Sequence, residues 1–152
     1  MLFFLQNPMS TGTPQFLYDR LNQVNQFTLD PCATDLNHKC PKYFTIEDNG
    51  LAQSWANEVV FINPPYSDIA KWVEKAFNEA KRNDAICIML IPARTDTKYW
   101  HNFIMKANSI TFIKGRLKFG SMKTAAPFPS CIVEFYKDSC SFPLEIRAMD
   151  NK

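Results

Sequence analysis

The tetrapeptide Asn63-Pro64-Pro65-Tyr66 places two kinds of acceptor, a rigid turn and an aromatic face within four adjacent residues. An amino group attached to an aromatic ring or an amide is a poor nucleophile, because its lone pair is delocalised into the π system. An asparagine side-chain oxygen and a proline carbonyl can take hydrogen bonds from the two amino hydrogens and favour a more tetrahedral nitrogen, whose lone pair is then free to attack. Pro65 keeps the turn stiff so that the acceptors are preorganised, and Tyr66 offers a flat face on which a planar base can stack. The bland alternative is a sharp turn with Tyr66 packed on Trp72. A turn alone, however, has no need of these four residues in this order.

Positioning such a group requires a strand that stops at the right place. "EVVFIN", residues 58–63, is a continuous β-branched and aromatic run, as expected of a strand covered on both faces. Proline lacks the N–H that a ladder needs, so the strand must end near Asn63, at the carboxyl edge of a sheet where open α/β folds place their ligands. Beyond the turn, Ile69, Trp72, Val73, Ala76, Phe77 and Ala80 recur at helical spacing, with Ser67 or Asp68 as cap and Lys81 and Arg82 in the last turn.

The rest of the chain alternates in the same way. "TPQFLYDRLNQV" predicts a short helix with Thr13 as N-cap, Pro14 at the first helical position, and Leu17, Leu21 and Val24 on one face. "FTLDP" is a brief strand ended by Pro31, and "KYFTIE" a second, bounded by Pro41 and the turn Asp48-Asn49-Gly50. "AICIMLIP", "SITFIKG" and "SCIVEFY" read as further strands, and Trp100, Phe103, Ile104 and Ala107 mark a helix capped by Asp96 or Thr97. Strands alternating with helices predict an α/β class with a mainly parallel sheet flanked by helices. No repeat or linker divides the chain, so the expected organisation is an N-terminal arm over 1–10, one domain over 11–140 and a tail over 141–152.

Composition limits the function classes. The 152 residues suffice for one core, and a hydrophobic content of 46% is ordinary for a globular protein. "MLFFLQ" is too short to cross a bilayer and lacks the basic flank and cleavage site of a signal peptide, so no membrane partner is expected. Five cysteines, an odd number without a secretory signal, point to reduced thiols in a cytoplasm. A net charge of +2 does not by itself announce a nucleic-acid partner, but the charges are uneven: between Arg94 and Lys123 the only carboxylate is Asp96.

With these segments in place, the chain resembles the phage DNA N6-adenine methyltransferases, small Dam-type enzymes. The resemblance is carried, in order, by "TPQFLYDRL", "FTLDPCAT", "DNGLAQSW", "FINPPYSDIAKWVEKA", "LIPARTDTKYW", "IKGRLKF" and "APFPSCIVEF". It implies a compact Rossmann-like class I methyltransferase fold, S-adenosylmethionine as methyl donor without a metal, and double-stranded DNA as substrate. It further implies a phage or prophage enzyme in the cytoplasm of a bacterial host, where methylation evades restriction. Asn63, Pro64, Pro65 and Tyr66 match the catalytic tetrapeptide, Asp30 and Pro31 the acidic start of the cofactor loop, and Thr13 and Pro14 the N-terminal cofactor element. Asp48 resembles the acid that accepts from the cofactor's adenine amino group, and Glu47 competes for a cofactor contact, at a ribose hydroxyl.

Two departures from the family's broader fold stand out. "DPCATDLNHKC" has no glycine where a glycine-rich turn is usual, so Ala33 and Thr34 must permit the close approach. The interval from Asp30 to Asn63 is also short, which predicts that a helix between the first strand and the tetrapeptide strand is reduced or lost. There is no room for a separate recognition domain, so sequence choice falls to loops such as "GRLKFGSMKTAAPFPS".

Other residues carry two readings. Asp30 could only start an Asx turn and Thr13 only cap a helix. Arg94 lies at a strand's end, suited to DNA contact or to an ion pair with Asp96. Arg116 and Lys118 suit a phosphate clamp, with Phe119 and Phe128 as an aromatic wedge, or a solvated face. Cys32, His38 and Cys40 match no common zinc spacing, and His101 is expected at the surface. The expected reaction is direct methyl transfer to N6 of a flipped adenine, with no obligate protein partner. N5-glutamine methylation of a protein, N4-cytosine methylation of DNA and a catalytically silent DNA-binding module are the alternatives.

Overall fold

A computed structural model describes residues 12–120, 122–138 and 143–152. The expected N-terminal arm lies outside them. Helix α1 spans Gln15–Asn25, followed by strands β1, Leu29–Asp30, and β2, Lys42–Tyr43. Strand β3, Val59–Ile62, leads through a 3-10 turn at Tyr66–Asp68 into α2, Ile69–Arg82; then come β4, Ile86–Pro92, and α3, Lys98–Asn102. Strands β5, Ser109–Lys114, β6, Ser130–Phe135, and β7, Glu145–Asp150, complete a seven-stranded sheet of order β2-β1-β3-β4-β6-β5-β7.

Only β6 runs against its neighbours; the other pairings are parallel. The mainly parallel α/β sheet is therefore as expected. The β3–β4 register, from Val59 opposite Ile86 to Ile62 opposite Met89, sets successive side chains on opposite faces. Val60, Ile62, Cys87, Met89 and Ile91 pack on one face with Ile69, Trp72, Val73, Ala76 and Ala80 of α2. Phe61, Ile88 and Leu90 face the other way, under Leu17 and Tyr18 of α1 and under Leu117, Phe119, Ala126 and Phe128. The strand stops at Ile62, as the prolines require.

Several expectations are corrected. Pro14, not Thr13, is the N-cap of α1, and its carbonyl accepts from Leu17 and Tyr18. Val24 is 84% exposed, so the buried face of α1 is Leu17 and Tyr18, with Leu21 partly buried beside them. "KYFTIE" shrinks to β2, since Asp48 accepts from both the amide and hydroxyl of Thr45 and turns the chain. The helix expected around Trp100 is only α3, capped by the Thr97 hydroxyl, plus a 3-10 turn at Ile104–Lys106. The segment read as a tail carries β7, an edge strand whose exposed, charged residues hide it from hydropathy. No helix stands between β1 and β3, as the short interval predicted.

Candidate active site

Asn63 follows the last residue of β3 and is 6% exposed. Its Nδ2 donates to Thr13 Oγ1 at 2.9 Å, whereas its Oδ1 is buried and finds no partner among the described residues. The Pro65 carbonyl accepts from the Asp68 amide at 3.2 Å; among the described residues no donor reaches the Pro64 carbonyl. Cys32 Sγ donates to the Asn63 carbonyl at 3.4 Å, tying the tetrapeptide to the loop after β1.

Asn63 lines a cavity of about 430 Å³ with Gly12, Thr13, Asp30, Cys32 and Lys39. Asp30, 5% exposed, accepts from the Lys39 amide at 3.0 Å. Burial pushes its carboxyl up to about 6, although the Lys39 and Cys32 amides pull the other way. A second cavity of about 400 Å³ is walled by Pro31, Glu47, Leu51, Pro65 and Trp72, and Cys32 and Asn37 belong to both walls. Of the two competing acids, Glu47 is on this wall and Asp48 is not, being taken up by Thr45. Pro14 starts α1 beside the first cavity without lining it.

Gly50 was not singled out as a site residue, yet it brings the cavity walls together. A Cβ there would lie 2.0 Å from the Pro31 carbonyl oxygen, so only glycine permits this approach. The Gly50 carbonyl also accepts from the indole N–H of the fully buried Trp55 at 3.0 Å. Glycine thus serves this chain on the opposing loop rather than in the β1 turn, where Ala33 and Thr34 stand. The signal for it was the Asp48-Asn49-Gly50 turn itself.

Tyr66 is half-buried, and its partner is not Trp72. Its ring meets Phe128 edge-on at 5.2 Å and Phe119 at 6.5 Å. Phe119 and Phe128 are themselves buried, which corrects the expected wedge: they close the sheet face and back Tyr66. Burial raises the Tyr66 phenol, opposed by the nearby Arg94 cation. Arg94 is exposed and lies 5.8 Å from the Phe128 ring; among the described residues it makes no ion pair with Asp96. Arg116 and Lys118 are exposed on the segment after β5, where an Arg116 guanidinium N–H donates to the Ala126 carbonyl.

The sulfur and imidazole groups are used locally. His38 stacks on Tyr43 at 4.0 Å and Cys40 packs on the Tyr18 hydroxyl. Among the described residues no group of His, Cys, Asp and Glu side chains is arranged to hold a metal. His101 is exposed and bonds the Thr95 carbonyl. No helix among the described residues is long and apolar enough to cross a membrane.

Residues 10–131 match the family model described as DNA N-6-adenine-methyltransferase (Dam). The chain belongs to this family. It is 29% identical over 104 residues to the DNA N-6-adenine-methyltransferase of Haemophilus phage HP1, covering 67% of this chain and 60% of that one. To the DNA N-6-adenine-methyltransferase of Escherichia phage T1 it is 33% identical over 96 residues, covering 62% and 40%. The match thus spans less than two thirds of either Dam relative. A Listeria monocytogenes structure described as a class I S-adenosylmethionine-dependent methyltransferase superposes with a TM-score of 0.55, at 15% identity, over 94% of this chain and 56% of that one. At that identity the likeness speaks for the fold of this Dam-family chain, which is the class I fold expected from its sequence.

Proposed function

We propose that this chain methylates the N6 amino group of adenine in double-stranded DNA, in the cytoplasm of a bacterial host, with S-adenosylmethionine as donor. One observation carries the reading: the Asn63 side-chain oxygen is a buried acceptor on the wall of a cavity, without a partner among the described residues. Leaving such an atom unpaired costs about 1–3 kcal/mol, which an incoming amine offsets. Asn63 Oδ1 and the Pro64 carbonyl take the two amino hydrogens, and Pro65 keeps them in place. Their withdrawal of the hydrogens localises the nitrogen lone pair toward the methyl group. Tyr66, braced by Phe119 and Phe128, presents its ring to the extruded base.

The cavities fit the donor by the chemistry of their walls. In the first, the Asp30 carboxylate suits an ammonium group and the Thr13 hydroxyl a carboxylate. Pro14 fixes where α1 begins, and so where Thr13 stands. In the second, Pro31, Leu51, Pro65 and Trp72 suit a flat heterocycle, with Glu47 accepting from a hydroxyl. Asp48 holds the Thr45 turn that presents Glu47. When bound, the donor supplies a methyl group on a sulfonium, already a good leaving group. The chain's task is then orientation, and the surplus proton passes to solvent. Arg94, Arg116 and Lys118 contact the DNA backbone irrespective of its sequence.

Incubation with labelled S-adenosylmethionine and unmethylated DNA, followed by nucleoside analysis, tests this reading. Label is expected in N6-methyladenine. Label in N4-methylcytosine or in protein glutamine, or none in DNA, overturns it.

A further inference from the structure

We propose that Thr13 is the positioning residue of Asn63: its hydroxyl oxygen holds Nδ2, and so turns Oδ1 outward as the acceptor for the substrate amine. This rests on the methyl-transfer reading above. The two side chains are 50 residues apart in sequence, and both are buried. An asparagine amide is nearly symmetric in shape but opposite in chemistry at its two ends. Rotated by half a turn, Asn63 would offer the substrate amine a second pair of donors and could not localise its lone pair. Strand β3 and Pro64 fix the backbone but do not choose between the two rotations.

Thr13 makes the choice, through the direction of its own proton. A hydroxyl can accept from Nδ2 or donate to Oδ1. Thr13 lines the same cavity as Asn63 and Asp30, so its O–H has a second direction open to it, into the donor site. When an acceptor there, such as the donor's carboxylate, takes that proton, the Thr13 oxygen remains only as an acceptor. Nδ2 is then the group it holds, and Oδ1 faces the amine. One hydroxyl links occupancy of the cavity to readiness of the catalytic oxygen.

The test compares Thr13→Val, which removes the hydroxyl at similar volume, with Thr13→Ser, which keeps it. In single-turnover methylation at saturating donor and DNA, Thr13→Val should be slower by roughly tenfold to a hundredfold, the scale of a lost buried hydrogen bond in the transition state. Thr13→Ser should return to within about threefold of wild type. Independently of activity and of how Thr13→Val folds, adding S-adenosylhomocysteine to wild type should slow exchange of one Asn63 side-chain amide proton, read by NMR. A Thr13→Val variant as fast as wild type, a Thr13→Ser variant as slow as Thr13→Val, or an unchanged Asn63 amide signal overturns the inference alone. A wild type that leaves DNA unmethylated overturns the methyl-transfer reading, and this inference with it.

Discussion

Gly12 and Gly120 meet backbone to backbone: the Gly120 amide donates to the Gly12 carbonyl at 2.8 Å, and a Cβ on Gly12 would stand 2.6 Å from the Gly120 Cα. Gly12 lines the first cavity and precedes Thr13; Gly120 follows Lys118 and the buried Phe119. The wall of the first cavity and the basic loop are therefore joined where these two glycines meet. Gly12→Ala should weaken donor and DNA binding together, because its neighbour is main chain and cannot swing aside. Calorimetry with S-adenosylhomocysteine and anisotropy with labelled DNA give the two affinities; loss of one without the other would show the elements to be independent.

Asn63→Ala should abolish transfer while donor affinity stays within about fivefold, since the lost oxygen serves the amine and the hydrogen bond to Thr13 is worth about 1 kcal/mol or less in net binding. Methylation and calorimetry on the same preparation should diverge. Near wild-type methylation by this variant would remove the tetrapeptide from the mechanism.

The raised carboxyl of Asp30 makes a pH prediction with a definite sign. A folded value of about 6 against an ordinary 3.8 means that the native state binds the extra proton. Stability from this group is full below about pH 4 and is lost as pH rises through 6, a cost of roughly 3 kcal/mol at pH 7. Asp30→Asn, which keeps an acceptor for the Lys39 amide, should be more stable than wild type at pH 7 and equal to it near pH 4 in urea titrations. Donor affinity should move oppositely, falling in wild type below about pH 6 as the carboxylate is protonated. A pH-independent difference in stability between the two proteins would show that Asp30 titrates normally.

Arg116→Glu with Lys118→Glu should weaken binding on every DNA sequence and flatten its dependence on salt, because phosphate contacts release counterions regardless of sequence. Both side chains are exposed and no ion pair engages them among the described residues. An unchanged slope in a salt titration would place the DNA surface elsewhere.

Tyr66→Phe should keep most activity, since the π face survives, while Tyr66→Ala should lose stacking worth about 1–3 kcal/mol. Fluorescence of 2-aminopurine at the target position reports extrusion of the base, and a mismatch opposite that position should partly rescue Tyr66→Ala. Equal signals and equal turnover in wild type and Tyr66→Ala would make Tyr66 a packing residue for Phe119 and Phe128 and nothing more.

What the sequence determined by itself was whatever is local. The β3 run, its stop at the prolines and the face of α2 follow from side-chain period and proline's missing N–H, and each is where the pattern put it. The tetrapeptide's chemistry was equally legible, because all its groups are consecutive. Tertiary structure alone decided the rest, since those relations join residues that share no local pattern. Pairing of Thr13 with Asn63 depends on α1 packing against β3, where the Tyr18 ring meets Phe61. Phe119 and Phe128 in a loop look the same whether they meet DNA or cover a sheet, and only the uncovered face of β4 and β6 made them core. Glu47 and Asp48 are adjacent acids that differ only in which one the Thr45 turn consumes. Strand β7 is almost wholly exposed, so no buried face marks it; as an edge strand it is held by backbone hydrogen bonds to β5, which are blind to side-chain type.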